Sequence, residues 1–234
     1  MNPTAAVIGV GPGLGMSMAH RLGREGFRVA LISRGAARHS GYLAELAAAG
    51  IDATAHAADV TDPAALGAAL AAIGEVEFAY YGPGPTTRHI VPITEVDVAV
   101  AQSAFDWVWP AVRVVRAVLP GMLARGSGGL LFAGGLSGVR PMPQLGQLAL
   151  ATAALRNYAR TLHAALADRG VYAGTLTIGG LVERGDIHAM VAAEPERYGI
   201  TAGHTLDPDL IAEAGWELYR ERERDEAVFD AFAK

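Results

Sequence analysis

The chain contains no cysteine, which excludes disulfides, thiolate metal sites and a cysteine nucleophile. Lysine is almost as scarce: every basic residue is an arginine except Lys234, the last residue. A mechanism built on a buried lysine therefore has no residue to use. No apolar run reaches the roughly 18–20 uninterrupted residues that a membrane span needs, although 51% of the 234 residues are hydrophobic. The opening residues, MNPTAAVIGV, carry no cationic segment and no cleavage site, so a cytoplasmic chain with no membrane contact is expected. A formal net charge of −5 with scattered arginines offers no footprint for nucleic acid. Internal repeats and linkers are missing as well, and the length suits one α/β domain over residues 1–234.

What is present is an alternation of short β-type runs with longer helical ones, the pattern of a parallel sheet with helices on both faces. The spacing predicts strands over 5–10, 28–33, 51–57, 76–81, 129–133 and 171–178. It predicts helices over 14–25, 41–49, 63–73, about 95–124, about 143–169 and 208–224. Asp62 followed by Pro63 forms a good N-cap and first-turn pair, which places the start of the third helix. After residue 178 the pattern loosens, with two helical fragments at most, and residues 179–206 are expected to form a lid over the carboxyl ends of the strands. An apolar run over 227–232 suggests an edge strand.

The first strand runs into GVGPGLGMSMAH, where Gly9, Gly11, Gly13, Leu14 and Gly15 open a helix. Glycines there let the backbone turn tightly and approach a pyrophosphate, while the helix N-terminus offers N–H groups and positive dipole to the anion. The plainer alternative is a tight turn that binds nothing. The spacing of Gly9, Gly13 and Gly15, with the elements that follow, resembles the short-chain dehydrogenase/reductase (SDR) family over nearly the whole chain. The resemblance implies a single Rossmann-type doubly wound parallel sheet with helices on both faces, and a nicotinamide nucleotide as partner. Ser33 and Arg34 stand where that family sorts the two nucleotides. Guanidinium pairs with phosphate and no carboxylate repels it, so NADP(H) is favoured over NAD(H); otherwise Arg34 is a solvated surface arginine. Asp59 and Val60 match the family's adenine-holding pair, with a loop or capping role for Asp59 as the alternative.

Further along, the helices keep the family pattern while the functional positions depart from it. Tyr81, Gly82, Pro83 and Gly84 stand for Asn-Asn-Ala-Gly, keeping a glycine-rich turn beside the expected nicotinamide. The motif AVLPGM aligns the fourth helix and puts Trp107 at the active-site asparagine; GGLLFAGG puts Gly135 at the serine, Leu148 at the tyrosine and Thr152 at the lysine. In the family the tyrosine is the general acid/base, the lysine lowers its pKa, the serine orients the carbonyl and the asparagine supports a relay water. A tyrosine of ordinary pKa near 10 needs that help at neutral pH, and leucine donates no proton at all. Gly179 and Gly180 replace the family's Pro-Gly, with Gly180 expected at the cofactor, and Arg184 replaces a threonine.

The remaining candidates for chemistry are Tyr81, His89 and Ser137, with Arg140, Gln144, Gln147 and His188 near the expected mouth of the site. Tyr81 as a core aromatic and His89 as a solvated loop histidine are the plainer readings. Tyr158 is expected to pack, and Arg156, one turn beyond Thr152, to reach toward a ribose or phosphate or to stay on the surface. Trp107, Trp109, Met142 and Leu148 would make an apolar pocket suited to an apolar small molecule. No metal site is expected. Three functions stay open: an NADP(H)-binding or regulatory protein, an atypical oxidoreductase for a small apolar carbonyl or enoyl compound, and an oligomeric scaffold. The apolar faces of WVWPAVRVVRAVL and LALATAALRNYARTL suit a homodimer or homotetramer.

Overall fold

The computed structural model describes residues 2–84, 90–194, 196 and 203–233. Strands β1 (Thr4–Ile8), β2 (Arg28–Ser33), β3 (Ala53–Ala57), β4 (Phe78–Tyr81), β5 (Gly128–Gly135) and β6 (Val171–Gly179) alternate with helices. The helices are α1 (Leu14–Arg24), α2 (His39–Ala48), α3 (Pro63–Ile73), α4 (Val98–Ala104), α5 (Val108–Arg125) and α6 (Gly146–Leu166). The two-residue strands β7 (Leu181–Val182) and β8 (Thr205–Leu206) then pair in parallel, with α7 (Asp186–Ala193) between them. The chain closes with α8 (Pro208–Glu221) and β9 (Glu226–Asp230).

Seven strands form one parallel sheet in the order β3-β2-β1-β4-β5-β6-β9. Its central strands are buried on both faces, as all-parallel sheets are. Ile8, Ile32, Tyr81 and Phe132 pack with α3, α5 and α6 on one face; Val7, Leu31, Tyr80 and Leu131 pack with α1, α2 and α8 on the other. The order reverses between β1 and β4. That switch point opens a crevice at the carboxyl ends of the strands, where doubly wound sheets take their ligands.

Local chemistry accounts for the starts and breaks. The Asp62 carboxylate accepts from the Ala64 and Ala65 amides at 2.8 and 3.1 Å, and Pro63 occupies the first turn of α3. The helix expected over about 95–124 is divided instead: α4 is followed by a 3₁₀ turn over Phe105–Trp107, and α5 starts at Val108. Pro110 falls at the start of α5, and a continuous helix would leave it owing a hydrogen bond that it has no N–H to make, a cost α5 bears once already at Pro120. In the first turn of a new helix that cost does not arise.

The edge strand expected over 227–232 is β9, one residue earlier at its start and parallel to β6. It is held from α6 by Arg156 to Glu226 at 2.7 Å and Arg160 to Asp225 at 2.7 Å, while the Thr177 hydroxyl donates to Glu226 at 2.5 Å. Arg156 is thereby engaged in the fold rather than turned toward a ribose or phosphate.

Burial raises the Glu226 carboxyl, but the hydrogen bonds from Arg156 and Thr177 and the charges of Arg156 and Arg160 outweigh it and leave it below the ordinary glutamate range. A depressed carboxyl stabilises the fold above its unfolded-state value and loses that contribution as pH falls through the folded one. Glu226→Ala should therefore cost about 3 kcal/mol at neutral pH, lowering Tm by roughly 6–12 °C. In thermal melts the gap between variant and wild type should narrow below about pH 4; a constant gap would contradict the ion-pair account.

Candidate functional site

The crevice is built from three backbone turns. Gly9 adopts φ +83°, and its amide and that of Val10 both donate to the Ile32 carbonyl, at 2.9 and 3.0 Å, so the chain folds sharply back from β1. A methyl group at Gly9 would lie 2.7 Å from the Pro83 nitrogen in the turn after β4. Gly15 presses on Val10, where a methyl group would come within 2.8 Å of Cα, and this seats α1 close to β1. Gly11 has open space around it. α1 starts at Leu14 with no side-chain cap and no acid in its first turn, so its N-terminal amides and dipole face the crevice without a carboxylate of their own.

The third turn comes from the segment after β6. A methyl group at Gly13 would meet the Glu183 carbonyl oxygen at 2.9 Å and Gly185 Cα at 3.0 Å, so a backbone strap lies directly over the glycine turn. Arg184, at the centre of the strap, is left-handed at φ 63°. Its guanidinium donates to the Ser17 hydroxyl at 3.1 Å and pairs with Asp209 at 2.8 Å. Next along, Asp186 pairs with Arg38 at 2.8 Å. Gly180 is packed beneath this strap, where a methyl group would lie 2.9 Å from the Ala231 side chain and 3.0 Å from Leu206.

At the end of β2, the Ser33 hydroxyl donates to the Gly35 carbonyl at 3.2 Å and lies 2.8 Å from His39 Nε2. Arg34 is exposed beside it. One Asp59 oxygen accepts from the Thr61 amide at 2.9 Å and the Thr61 hydroxyl at 2.8 Å. Those two bonds, with the nearby Arg34 charge and against some burial, hold the Asp59 carboxyl below its ordinary range. Val60 is buried in the adjoining core.

The seam between β5 and α6 brings Gly135, Ser137, Leu148 and Thr152 together. A methyl group at Gly135 would lie 3.3 Å from Thr152 Cγ2 and 3.6 Å from the Ser137 hydroxyl. The Ser137 and Thr152 hydroxyls are 3.2 Å apart, and the Thr152 hydroxyl also donates to the Leu148 carbonyl at 2.6 Å. Trp107 stands against the turn after β4, its ring 3.4 Å from where a methyl group at Gly84 would sit. Gly82 carries that turn on from β4, its amide donating to the Ile8 carbonyl at 2.9 Å.

Residues 3–187 match the family described as short chain dehydrogenase. The chain belongs to the short-chain dehydrogenase family. Among similar proteins is Dehydrogenase/reductase SDR family protein 7-like of Drosophila melanogaster, 26% identical over 239 aligned residues that cover 97% of this chain and 73% of that one. Another is 1-deoxy-11-beta-hydroxypentalenate dehydrogenase of Streptomyces avermitilis, 33% identical over 128 residues, 53% of this chain and 47% of that one. L-sorbose reductase from Gluconobacter frateurii, solved with NADPH and L-sorbose, superposes with a TM-score of 0.85 at 20% identity, over 98% of this chain and 95% of that one. A metagenomic short-chain oxidoreductase solved with NADP gives 0.77 at 21% identity, over 97% and 96%. At these identities the two structures share the fold.

In this short-chain dehydrogenase several expected groups stand elsewhere than the site mouth. Tyr81 is 1% exposed, donates its hydroxyl to the Trp107 carbonyl at 2.5 Å and packs on Phe132; burial raises its phenol well above the ordinary range. It alternates with Tyr80 along β4 and so points into the core under α5, which removes it as a proton donor. Gln147 is buried, its side-chain oxygen accepting from the Val91 amide at 2.9 Å, and Arg140 pairs with Asp230 at 2.9 Å. Gln144 is exposed and His188 half-buried on α7. Trp109 is 52% exposed and packs on Phe105, so it walls no pocket; its neighbours Val108 and Pro110 hold the inward side of α5. Tyr158 packs edge-on against Phe132. His89 lies outside the described residues.

An open groove of ≈ 400 Å³ between α3 and α5 contains none of the predicted site residues. Among the described residues no helix is long and apolar enough to cross a membrane, and no three His, Asp or Glu side chains are grouped to hold a metal. The residues missed by sequence are those that tie the site together: Arg38, His39, Asp186 and Asp209. A left-handed arginine costs about 1 kcal/mol or more, so the strap depends on the Arg184 anchors. Arg184→Ala should speed amide exchange over 181–186 by about two- to fivefold, the worth of an exposed ion pair. Unchanged exchange would show that the strap is held by its backbone alone.

Proposed function

We propose that this short-chain dehydrogenase binds NADP(H) in the crevice at the β1–β4 switch point and acts as a binding or regulatory protein without the family's standard proton-transfer residues. The observation that carries this reading is the seam at Gly135, Ser137, Leu148 and Thr152. These residues meet where the resemblance puts the serine, tyrosine and lysine, and none of them ionises near neutrality. The buried, engaged Tyr81 offers no replacement.

The nucleotide half of the proposal rests on the fit between residues and ligand. α1 opens with no side-chain cap and no acid in its first turn, so the Leu14 and Gly15 amides are placed to receive a pyrophosphate. Asp59 and Val60 stand ready for the adenine, and Ser33 with Arg34 offers a hydroxyl and a guanidinium to a 2′-phosphate. The nicotinamide end is assigned to Gly82, Gly84 and Gly180 by the family resemblance; side chains of this chain, Tyr80, Trp107, and Ala231 with Leu206, already cover their Cβ sides. Two solved proteins of like fold hold NADPH or NADP, which supports a nicotinamide nucleotide here. When bound, the nucleotide supplies a hydride; this chain's own residues supply position and exclude water.

A second reading is an oxidoreductase acting on a small apolar carbonyl or enoyl compound; the Ser137 hydroxyl would have to turn from Thr152 to donate to a carbonyl oxygen, and the proton would come from outside the seam. Exposed Trp109 and Leu150, at 52% and 42%, support pairing of α5 and α6 with a second copy in a homodimer or homotetramer.

Calorimetric titration should show NADPH binding more tightly than NADH, and Arg34→Ala should weaken NADPH about tenfold while leaving NADH unchanged. Bound NADPH should keep its absorbance across a panel of aldehydes, ketones, quinones and enones. Binding of neither nucleotide would refute the proposal, and steady NADPH oxidation would replace it with the oxidoreductase reading. Light scattering on the size-exclusion eluate should show a dimer or tetramer that Trp109→Arg converts to monomer; a wild-type monomer would refute the pairing.

A further inference from the structure

The buried stripe of α2 consists of His39, Tyr42 and Leu46, spaced to face the sheet. Leu46 is an ordinary core residue and Tyr42 buries its hydroxyl without a hydrogen bond, but His39 is an imidazole only 8% exposed, and a buried polar ring is costly without a partner. Its partner is Ser33, with Nε2 2.8 Å from the hydroxyl oxygen. The Ser33 proton is already directed at the Gly35 carbonyl, 3.2 Å away. We assign the Nε2–H tautomer, in which His39 donates to Ser33 across the 2.8 Å contact while the hydroxyl gives its one proton to the Gly35 carbonyl.

This arrangement fixes the hydroxyl oxygen while leaving its proton on a long bond. A phosphate oxygen outcompetes a neutral carbonyl for that proton, because charge-assisted hydrogen bonds are shorter and stronger. Donation by His39 polarises the hydroxyl further, as linked hydrogen bonds do. The charged groups nearby are of both signs, and Arg34 is the cation next to the hydroxyl. Arg34 adjoins Ser33, Arg38 is held by Asp186 at 2.8 Å, and Asp59 lies close enough to feel Arg34. On β3, burial together with Arg28 and His39 disfavours the charged form of His56.

We propose that His39 is a positioning residue that selects NADP(H) over NAD(H) by holding the Ser33 hydroxyl for the 2′-phosphate monoester. The proposal rests on the nucleotide-binding reading above.

The test is calorimetric titration of the full chain with NADPH and with NADH, for wild type, His39→Leu, His39→Gln, Ser33→Ala and the His39→Leu/Ser33→Ala pair. His39→Leu and Ser33→Ala should each weaken NADPH about 10- to 100-fold, the worth of one hydrogen bond to a charged group, with NADH unmoved. The double variant should lose no more than either single one, as two residues acting through one contact do. His39→Gln keeps an N–H donor and should stay within about twofold of wild type. An unchanged NADPH-to-NADH ratio in His39→Leu, or equal weakening of both, overturns the inference and leaves nucleotide binding standing. Wild-type failure to bind either nucleotide overturns both. If His39→Leu does not fold, nitrogen spectra of the wild-type imidazole decide. A protonated Nε2 that keeps its hydrogen bond when NADPH is added supports the role, and an unprotonated Nε2 overturns it.

Discussion

Gly9 turns back under Pro83 with no room for a side chain, and much of the molecule's organisation follows from that contact. It joins the turns after β1 and β4 at the place where the order of the sheet reverses. With those turns joined, α1 begins at the mouth of the crevice, its first-turn amides uncapped, and Gly15 holds the helix against β1. The strap after β6 closes over the same turn, carried by a left-handed Arg184 whose side chain reaches Ser17 and Asp209. Gly13 is therefore held between the start of the helix and the strap backbone. Because Arg184 is strained and its anchors are surface ion pairs of small individual worth, the strap is the part of the crevice best able to adjust to an occupant.

The seam between β5 and α6 differs in character from the crevice. Its polar atoms satisfy one another: Ser137 faces Thr152, and Thr152 bonds to the backbone of its own helix. In such a closed set the hydroxyl protons are already committed, and neither hydroxyl ionises near neutral pH. The deeper end of α6 is occupied with structure, since Arg156 and Arg160 hold β9 against the sheet. On the proposed reading the nucleotide would lie in the crevice, apart from the β5–α6 seam, which carries no group that ionises near neutral pH.

The alternation of β-type and helical runs made the six main strands legible, and Asp62–Pro63 marked the start of α3 because capping is a local matter. The glycine turn was equally plain, since close backbone approach demands glycine itself. The division at Phe105–Trp107 was not read, although Pro110 falls just beyond it, because the apolar pattern runs through the break. The β7–β8 pair left no periodicity at two residues per strand. Side-chain direction was the least legible: Tyr81 sits beside the crevice in sequence, yet strand alternation turns it into the core. Contacts between distant segments, such as Arg38–Asp186 and Arg184–Asp209, have no local signature. His39–Ser33 did have one, a histidine on the buried stripe of α2, but it becomes informative only once the helix start is known.

A crystal structure of the protein with NADPH tests the central claim most directly. The account predicts the pyrophosphate against the amides at Gly13 and Leu14, the 2′-phosphate within hydrogen-bond reach of Ser33 and Arg34, and the nicotinamide beside Gly82 and Gly180. It also predicts no ionisable side chain within about 4 Å of the nicotinamide C4, the reach of a direct proton donor. A nucleotide seated elsewhere, or a histidine such as His89 or His188 placed against that carbon, would contradict it.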